Sequence, residues 1–252
     1  HDYAIKANYA LGQIKRGHIQ AGVDLLQAAV ASEDITASAH SCLLLYIHYL
    51  PGMSPQTLLD TSRHWGRLHA PMGLARQTHG NEPDPHRRLR IGYLSADFKS
   101  HSVAYNFEAV LDGRHGDLNE VYGYGHVAQP DSVTERLASK FDLYRPVFHL
   151  DDRQLASQIE EDGIDILVAL AGHTKGNRLQ ALAHKPAPIQ VDSGGIGSTG
   201  MVQMDYRLSD SWMDPPEAQS CYLEELAYLD GGYLCYRPPD TAPLPAPLPA
   251  LR

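Results

Sequence analysis

The apolar positions of the first seventy residues follow a helical period. In the second predicted helix they lie four, three and four residues apart, at Ile19, Val23, Leu26 and Val30. This spacing places them on one face of an amphipathic helix. The same criterion predicts four helices in this region, which end at about residues 17, 30, 50 and 69.

A different pattern begins at Leu89, where short apolar runs alternate with helical stretches. The expected strands are 89–95, 121–124, 147–150, 164–170, 189–191 and 206–208. The run 164–170 is almost continuously apolar, which is typical of a central parallel strand buried on both faces. Alternating strands and helices predict an α/β domain, doubly wound around a parallel sheet. Ligands of such domains bind at the carboxyl ends of the strands.

The chain divides into a helical region, a linker rich in Pro and Gly, an α/β lobe and a Pro-rich connection to a further domain. The predicted bounds of these parts are 1–70, 71–88, 89–236 and 237–252. A helix, a glycine turn and a second helix, with Gly22 and Ala29 at small positions, are typical of a tetratricopeptide repeat. Other helical hairpins share this pattern. Because a single repeat cannot bury its own face, we expect further repeats upstream.

Composition and charge exclude several classes of function. The chain has 252 residues and a formal net charge of -9, and its longest basic cluster is RRLR at 87–90, so nucleic acid is not an expected partner. No run of eighteen or more apolar residues occurs, so no membrane span is expected. Three widely spaced cysteines argue against a disulfide framework and favour the reducing cytoplasm. Neither CxxC nor HExxH is present, so no metal site is expected.

The first predicted strand is followed by a loop that carries possible acid–base chemistry, SADFKSHS at 95–102. It offers Asp97, Ser100, His101 and Ser102 where a helix N-terminus faces the ligand crevice. The imidazole of His101 is suited to general acid or base catalysis, and Asp97 could orient it. Alternatively, Ser100 and Ser102 simply cap the following helix.

Two later loops are candidates for ligand contact. AGHTKGNR at 171–178 follows the most apolar strand, and it offers His173, Thr174 and Asn177 beside two glycines that allow close approach. It could instead be an ordinary turn in which Thr174 is a helix N-cap. DSGGIGSTG at 192–200 contains four glycines and could either cradle a ligand or only provide flexibility. None of these loops has the Walker or GxGxxG pattern of nucleotide-binding loops.

Taken in order, these segments resemble the O-GlcNAc transferase family, including bacterial members with N-terminal tetratricopeptide repeats. The resemblance covers about residues 40–252 in collinear order. The upstream segments YLPGMSP and RHWGRLH also resemble the connection between repeats and catalytic region in the bacterial members. The matching stretches are LRIGYLSADFKSHSVAY at 89–105, EEDGIDILVALAGHTKGNRL at 160–179, KPAPIQV at 185–191, MDYRLSD at 204–210 and LDGGYLCYRPP at 229–239.

The resemblance implies the GT-B fold, in which two Rossmann-like lobes face each other, and this chain corresponds to the N-terminal lobe. It also implies inverting transfer of N-acetylglucosamine from UDP-GlcNAc to Ser or Thr hydroxyls of proteins, without a cofactor or an essential metal. Acceptor proteins would bind through the repeats. Carried over by position, the catalytic candidates are His101 and His173. The substrate-binding candidates are Asp97, Ser100, Ser102, Thr174, Asn177, Ser198, Thr199 and Gly200.

Two departures from the family pattern leave alternatives open. Residues 192–197 replace an aromatic segment of the family, which puts sugar or acceptor preference in doubt. The C-terminal lobe is absent from this sequence, so we expect the isolated chain to be inactive. The chain could instead be a non-catalytic protein-binding module, or a family member that uses another sugar or acceptor, such as hexose on Asn.

Overall fold

The computed structural model describes residues 2–31, 35–84, 86–114, 116–238, 242 and 246, with side chains from residue 6 onward. The N-terminal region consists of four helices: α1 (Asp2–Lys15), α2 (Ile19–Val30), α3 (Ala37–Ile47) and α4 (Pro55–His69). Thr36 and Ser54 cap α3 and α4 by accepting hydrogen bonds from Ala39 N–H and Thr57 N–H.

Helices α1 and α2 pack closely across the turn at 16–18. A Cβ atom at Gly22 would lie 2.4 Å from Ile14 Cγ1, so a small residue is required where the two helices meet. Ala29 on α2 is also buried. The predicted use of Gly22 and Ala29 as small packing residues is therefore confirmed, whereas the assignment to a tetratricopeptide repeat stays a prediction.

A seven-stranded parallel sheet forms the second region. Its strands are β1 (Leu89–Ser95), β2 (Asn119–Gly125), β3 (Leu143–Pro146), β4 (Ile166–Ala169), β5 (Ile189–Asp192), β6 (Tyr206–Ser209) and β7 (Glu225–Tyr228). The connecting helices are α5 (Ser102–Asp112), α6 (Ser132–Ala138), α7 (Asp152–Glu161) and α8 (Leu179–Leu182). The strand order is β3-β2-β1-β4-β5-β6-β7, so the winding reverses between β1 and β4. This is the Rossmann order extended by one strand, and it confirms the predicted α/β fold class.

Strand β4 is buried on both faces, as its apolar run predicts. Leu167 belongs to a hydrophobic cluster on one face of the sheet, and Val168 belongs to the cluster on the other face. The first cluster also contains Leu44 of α3 and Trp65 of α4. The last two N-terminal helices therefore share a hydrophobic core with the lobe.

Two strand predictions fail at the edges of the sheet. The third strand was expected at 147–150 but lies at Leu143–Pro146. Val147 is buried beyond the end of β3, while Phe148 is 52% exposed. Val147 is therefore apolar because it packs in the core, whereas Phe148 lines a cavity at the carboxyl ends of the strands. The seventh strand, Glu225–Tyr228, is short and half polar, as edge strands often are, and has no sequence signal of its own.

The described part of the linker contains a 3-10 turn at Met72–Leu74 and is otherwise irregular. Arg87 joins it to the base of the sheet through a salt bridge with Asp165 of 2.5 Å. The predicted Pro-rich connection, 237–252, lies mostly outside the described residues. Within the described part of the chain, no helix is long and apolar enough to cross a membrane.

Candidate active site

A cavity of about 1010 Å³ opens at the carboxyl ends of the strands, across the point where the winding reverses. Four predicted site residues line it: Asp97, His101, Ser102 and Thr174. Other lining residues include Lys99, His126, Phe148, Lys175, Ser193, Gly194, Gly195 and Tyr233. Because β1 and β4 contribute their following loops to the same opening, the fold joins segments that are seventy residues apart.

His101 is the N-cap residue of α5. Its Nδ1 accepts a hydrogen bond from Val103 N–H at 3.3 Å. An Asp97 carboxylate oxygen lies 3.8 Å from the same nitrogen, and the His101 side chain is 43% exposed. The imidazole itself, and not a hydroxyl of Ser100 or Ser102, thus caps the helix.

Ser100 lies beside this constellation but does not line the cavity. Its hydroxyl is 2.9 Å from Tyr105 Oη, and its N–H donates to Asp131 Oδ2 at 2.8 Å. Asp131 also caps α6 through Thr134 N–H. Ser100 therefore joins the loop after β1 to the start of α6.

Only some of the polar residues in the loop after β4 line the cavity. Thr174 lines the cavity, although its hydroxyl donates to Ala171 O at 2.7 Å. Asn177 folds back to donate to Thr174 O at 2.9 Å, and it does not line the cavity. The alternative in which Thr174 is a helix N-cap is wrong, because α8 begins at Leu179, after Arg178.

His173 faces the N-terminal helices and does not line the cavity. It is 5% exposed and packs edge-on against Trp65, with ring centroids 4.9 Å apart. Its Nε2 donates to Thr199 O at 2.9 Å, so its Nδ1 accepts from Ser41 Oγ at 3.0 Å. Burial lowers the pKa of His173 to about 4, and His48 and His69 act in the same direction. Both nitrogens are therefore committed within the protein, and a role in catalysis stays a prediction.

Ser198, Thr199 and Gly200 are also buried against the N-terminal helices and do not line the cavity. Glu224 accepts hydrogen bonds from Ser198 Oγ at 2.7 Å and from Thr199 N–H at 2.7 Å. Gly200 has φ +73 and touches α4, where a Cβ atom would lie 2.0 Å from Ser62 O. These contacts join the segment after β5 to α4 and to the residue before β7, and the predicted substrate contacts stay untested.

Residues 193–197, here called the glycine loop, connect β5 to this segment. The buried guanidinium of Arg207 on β6 pairs with Asp192 and donates to Gly194 O and Gly197 O, each at 3.2 Å. Burial raises the pKa of Asp192 to about 7; Arg207 opposes this shift and Glu224 adds to it. No local sequence pattern indicates this pair, because Asp192 and Arg207 are fifteen positions apart.

His126 and Phe148 are cavity residues that sequence analysis missed. Their rings lie 5.0 Å apart, and His126 Nδ1 accepts from Arg178 Nη1 at 3.0 Å. Burial lowers the pKa of His126, and the Arg178 charge adds to this. Arg178 is itself paired with Asp152 at 2.6 Å. The position of His126 directly after β2 was the available signal.

This geometry can be compared with known proteins. The model of glycosyl transferase family 41 matches residues 73–236. SPINDLY of Solanum lycopersicum, a probable UDP-N-acetylglucosamine–peptide N-acetylglucosaminyltransferase, is 36% identical over 214 residues, which cover 82% of this chain and 23% of that protein. SEC of Arabidopsis thaliana, with the same description, is 34% identical over 149 residues, or 58% of this chain and 15% of that protein.

A solved structure of a Thermobaculum terrenum O-GlcNAc transferase mutant matches with a TM-score of 0.89 and 35% identity. The match covers 94% of this chain and 46% of that chain. This chain thus spans less than half of that structure and less than a quarter of the SPINDLY proteins. The resemblance found in the sequence is confirmed: the chain belongs to glycosyl transferase family 41.

Proposed function

We propose that this chain is the N-terminal catalytic lobe, with part of a repeat region, of a protein glycosyltransferase. The complete protein would transfer N-acetylglucosamine from UDP-GlcNAc to Ser or Thr hydroxyls of proteins, with inversion. The observation that carries this proposal is the cavity in which Asp97, His101 and Thr174 meet at the winding reversal of a family 41 lobe. The SPINDLY and SEC relatives are described as probable enzymes of this reaction.

His101 could act either as a general base or as a group that hydrogen-bonds and positions acceptor and sugar, and its hydrogen bonds favour the second role. Because Val103 N–H donates to Nδ1, the neutral ring carries its proton on Nε2. In this tautomer Nε2–H of His101 donates a hydrogen bond to an oxygen of the ligand in the cavity and so positions that ligand. Action as a general base at Nε2 would require the proton to move to Nδ1, where Asp97 could receive the hydrogen bond in place of the helix cap.

We further propose that the reaction needs no cofactor or metal ion. Among the residues that the structure describes, no group of three or more His, Cys, Asp or Glu side chains could hold a metal. The proposed partners are a UDP-sugar donor and acceptor proteins bound through the helical region, without nucleic acid or membrane. A cytoplasmic location is also proposed, since Cys42, Cys221 and Cys235 are free.

The ordered glycine loop favours a catalytic lobe over the alternative of a degenerate protein-binding scaffold. A buried ion pair and three hydrogen bonds to its carbonyls hold the main chain of this loop at the wall of the cavity, as contact with a ligand requires. Use of a different sugar remains the second candidate, because this loop lacks the family's aromatic residues.

The test is a transfer assay on the full-length protein with UDP-GlcNAc, other UDP-hexoses and a library of Ser/Thr and Asn peptides. Mass spectrometry of the peptides reports both the transferred sugar and the modified residue. The proposal expects N-acetylhexosamine on Ser or Thr. Hexose on Asn would establish the second candidate, and no transfer from any UDP-sugar by a folded, peptide-binding protein would establish the non-catalytic module.

A further inference from the structure

Arg207 holds the glycine loop from behind the cavity wall. Its side chain is 3% exposed on β6. One of its nitrogens, Nη1, pairs with Asp192 and donates to Gly194 O and Gly197 O, and Nη2 donates to Gly195 O at 3.3 Å. Thus three of the five loop residues offer their carbonyls to one guanidinium.

Three of the five residues of the glycine loop are glycines. Gly195 and Gly197 adopt φ +74 and +72, which side chains other than glycine rarely allow. A Cβ atom at Gly194 would lie 2.3 Å from Leu170 O, so the loop main chain packs directly on the segment after β4. Without side chains of their own, these glycines depend on external hydrogen bonds for a single conformation.

Burial of the Arg207 charge depends on the conformation of the glycine loop. A buried guanidinium is costly unless it is paired and hydrogen-bonded, and Asp192 with the three carbonyls gives Nη1 and Nη2 of Arg207 four acceptors, while Nε has no partner among the described residues. The Tyr222 ring covers one face of the group, 5.3 Å from its centre. Loss of the loop conformation would therefore remove the three carbonyl acceptors and leave Arg207 paired with Asp192 alone, which couples the shape of the loop to burial of the charge.

The other face of the loop is part of the cavity. Ser193, Gly194 and Gly195 line the cavity, whereas Arg207 does not. The wall lies at the end of β5, next to β4 and close to the winding reversal, where Rossmann-like lobes bind nucleotide-linked ligands. Arg207 thus contacts one side of the glycine loop, and the cavity lies on the other side.

We propose that Arg207 is a positioning residue for donor selectivity: by holding the carbonyls of the glycine loop, it sets the shape of the cavity wall that meets the UDP-sugar. Asp192 completes this arrangement by fixing the guanidinium. The inference rests on the proposed function, because it assumes that the ligand of this cavity is a UDP-sugar.

The test uses the full-length protein with Arg207→Lys, which keeps the positive charge but cannot satisfy four acceptors in a planar fork. Arg87→Lys is the matched control. Arg87 also pairs with a buried carboxylate, Asp165, and donates to the carbonyls of Glu82 and Arg88, but it lies at the opposite end of the sheet. Asp192→Asn combined with Arg207→Met is a second variant, which leaves no unpaired charge if the Lys variant fails to fold.

Three quantities are measured on each variant: the melting temperature, amide hydrogen exchange of 193–198, and the ratio of kcat/KM for UDP-GlcNAc and UDP-glucose. The proposal expects Arg207→Lys to change the donor ratio by about tenfold and to speed loop exchange. Arg87→Lys should lower the melting temperature with an unchanged donor ratio. An unchanged donor ratio in both folded Arg207 variants would reduce Arg207 to a stabilising residue, and a changed preference among acceptor peptides alone would overturn the donor assignment.

The dissociation constants of the two UDP-sugars, measured by ligand-observed NMR, give the same ratio without turnover. If the wild-type protein binds both donors but transfers neither sugar, the proposed function fails while Arg207 is still tested by the binding ratio. If Arg207→Lys leaves that ratio unchanged, the inference fails whether or not the protein is a transferase.

Discussion

Two histidines that the sequence predicts to be catalytic lie in opposite environments. One is in the cavity, and the other is in the interface between α4 and the lobe. His101 is 43% exposed at the start of α5 and lines the cavity. His173 is 5% exposed, and both of its nitrogens are bound to protein groups. Each follows a strand directly adjacent to the winding reversal. A position at a strand end therefore does not by itself show that a side chain meets ligand.

The difference arises from what covers each strand end. The loop after β1 enters α5, whose first turn leaves the His101 ring at the cavity. The loop after β4 is covered by α3 and α4, which bring Ser41 and Trp65 onto His173. The N-terminal helices thus cover part of the lobe surface and bury one of the two predicted catalytic histidines.

The largest expected effect concerns His101. His101→Ala in the full-length protein should lower the transfer rate by about a hundredfold, because a positioned imidazole contributes on that scale. Initial rates and thermal unfolding are measured on the same samples. A folded His101→Ala protein that keeps most of its activity would remove the contrast between the two histidines.

The second prediction concerns a close approach between α4 and the lobe. A Cβ atom at Gly66 would lie 1.9 Å from Gly200 O, a backbone atom that cannot move alone. Gly66→Ala should lower the free energy of unfolding by about 3 kcal/mol through overpacking. Gly12→Ala is the control, since nothing lies within 4 Å of its Cβ position and alanine favours a helix. Equal stability of both variants by chemical denaturation would show that the interface is loose.

The third prediction separates packing from catalysis at His173. His173→Ala should destabilise the fold by about 2 kcal/mol, because it leaves Ser41 Oγ and Thr199 O without their buried partner. Turnover per folded molecule should fall much less than in His101→Ala. A large loss of turnover without a change in the melting temperature would instead place His173 in the mechanism.

The fourth prediction concerns pH and the histidines beside this interface. Burial lowers the pKa of His40 to about 3, and neighbouring His69 and His64 add to this shift. The folded pKa values of His40 and His173 thus lie below the unfolded value of about 6.5, so the unfolded state binds protons first. Their contribution to stability is complete well above pH 6.5 and is lost as pH falls through 6.5 towards about 4 for His173 and about 3 for His40.

Denaturant unfolding at a series of pH values checks this prediction. We expect the free energy of unfolding to fall by at least about 1 kcal/mol between pH 6.5 and 5.5. His40→Phe should reduce this dependence, because His173 is then the remaining one of the two buried histidines. A flat profile for the wild-type protein would show that the interface admits charged histidine.

The sequence by itself determined the order of the helices and strands, the fold class and the identity of the loops at the strand ends. Helical periodicity and apolar runs carry this information. Prediction from these patterns failed at β3 and β7, because these edge strands are too short and too polar to show a clear pattern. The resemblance then identified the family from several motifs in register.

Only the tertiary structure decided which side of each loop faces the cavity. His101, His173 and Thr199 all lie in the segments that the sequence singled out, but only His101 lines the cavity. The pairing of Asp192 with Arg207 likewise depends on the adjacency of β5 and β6. Contacts of this kind join distant parts of the chain, and their energy comes from burial and hydrogen-bond satisfaction in the folded state, which no local pattern records.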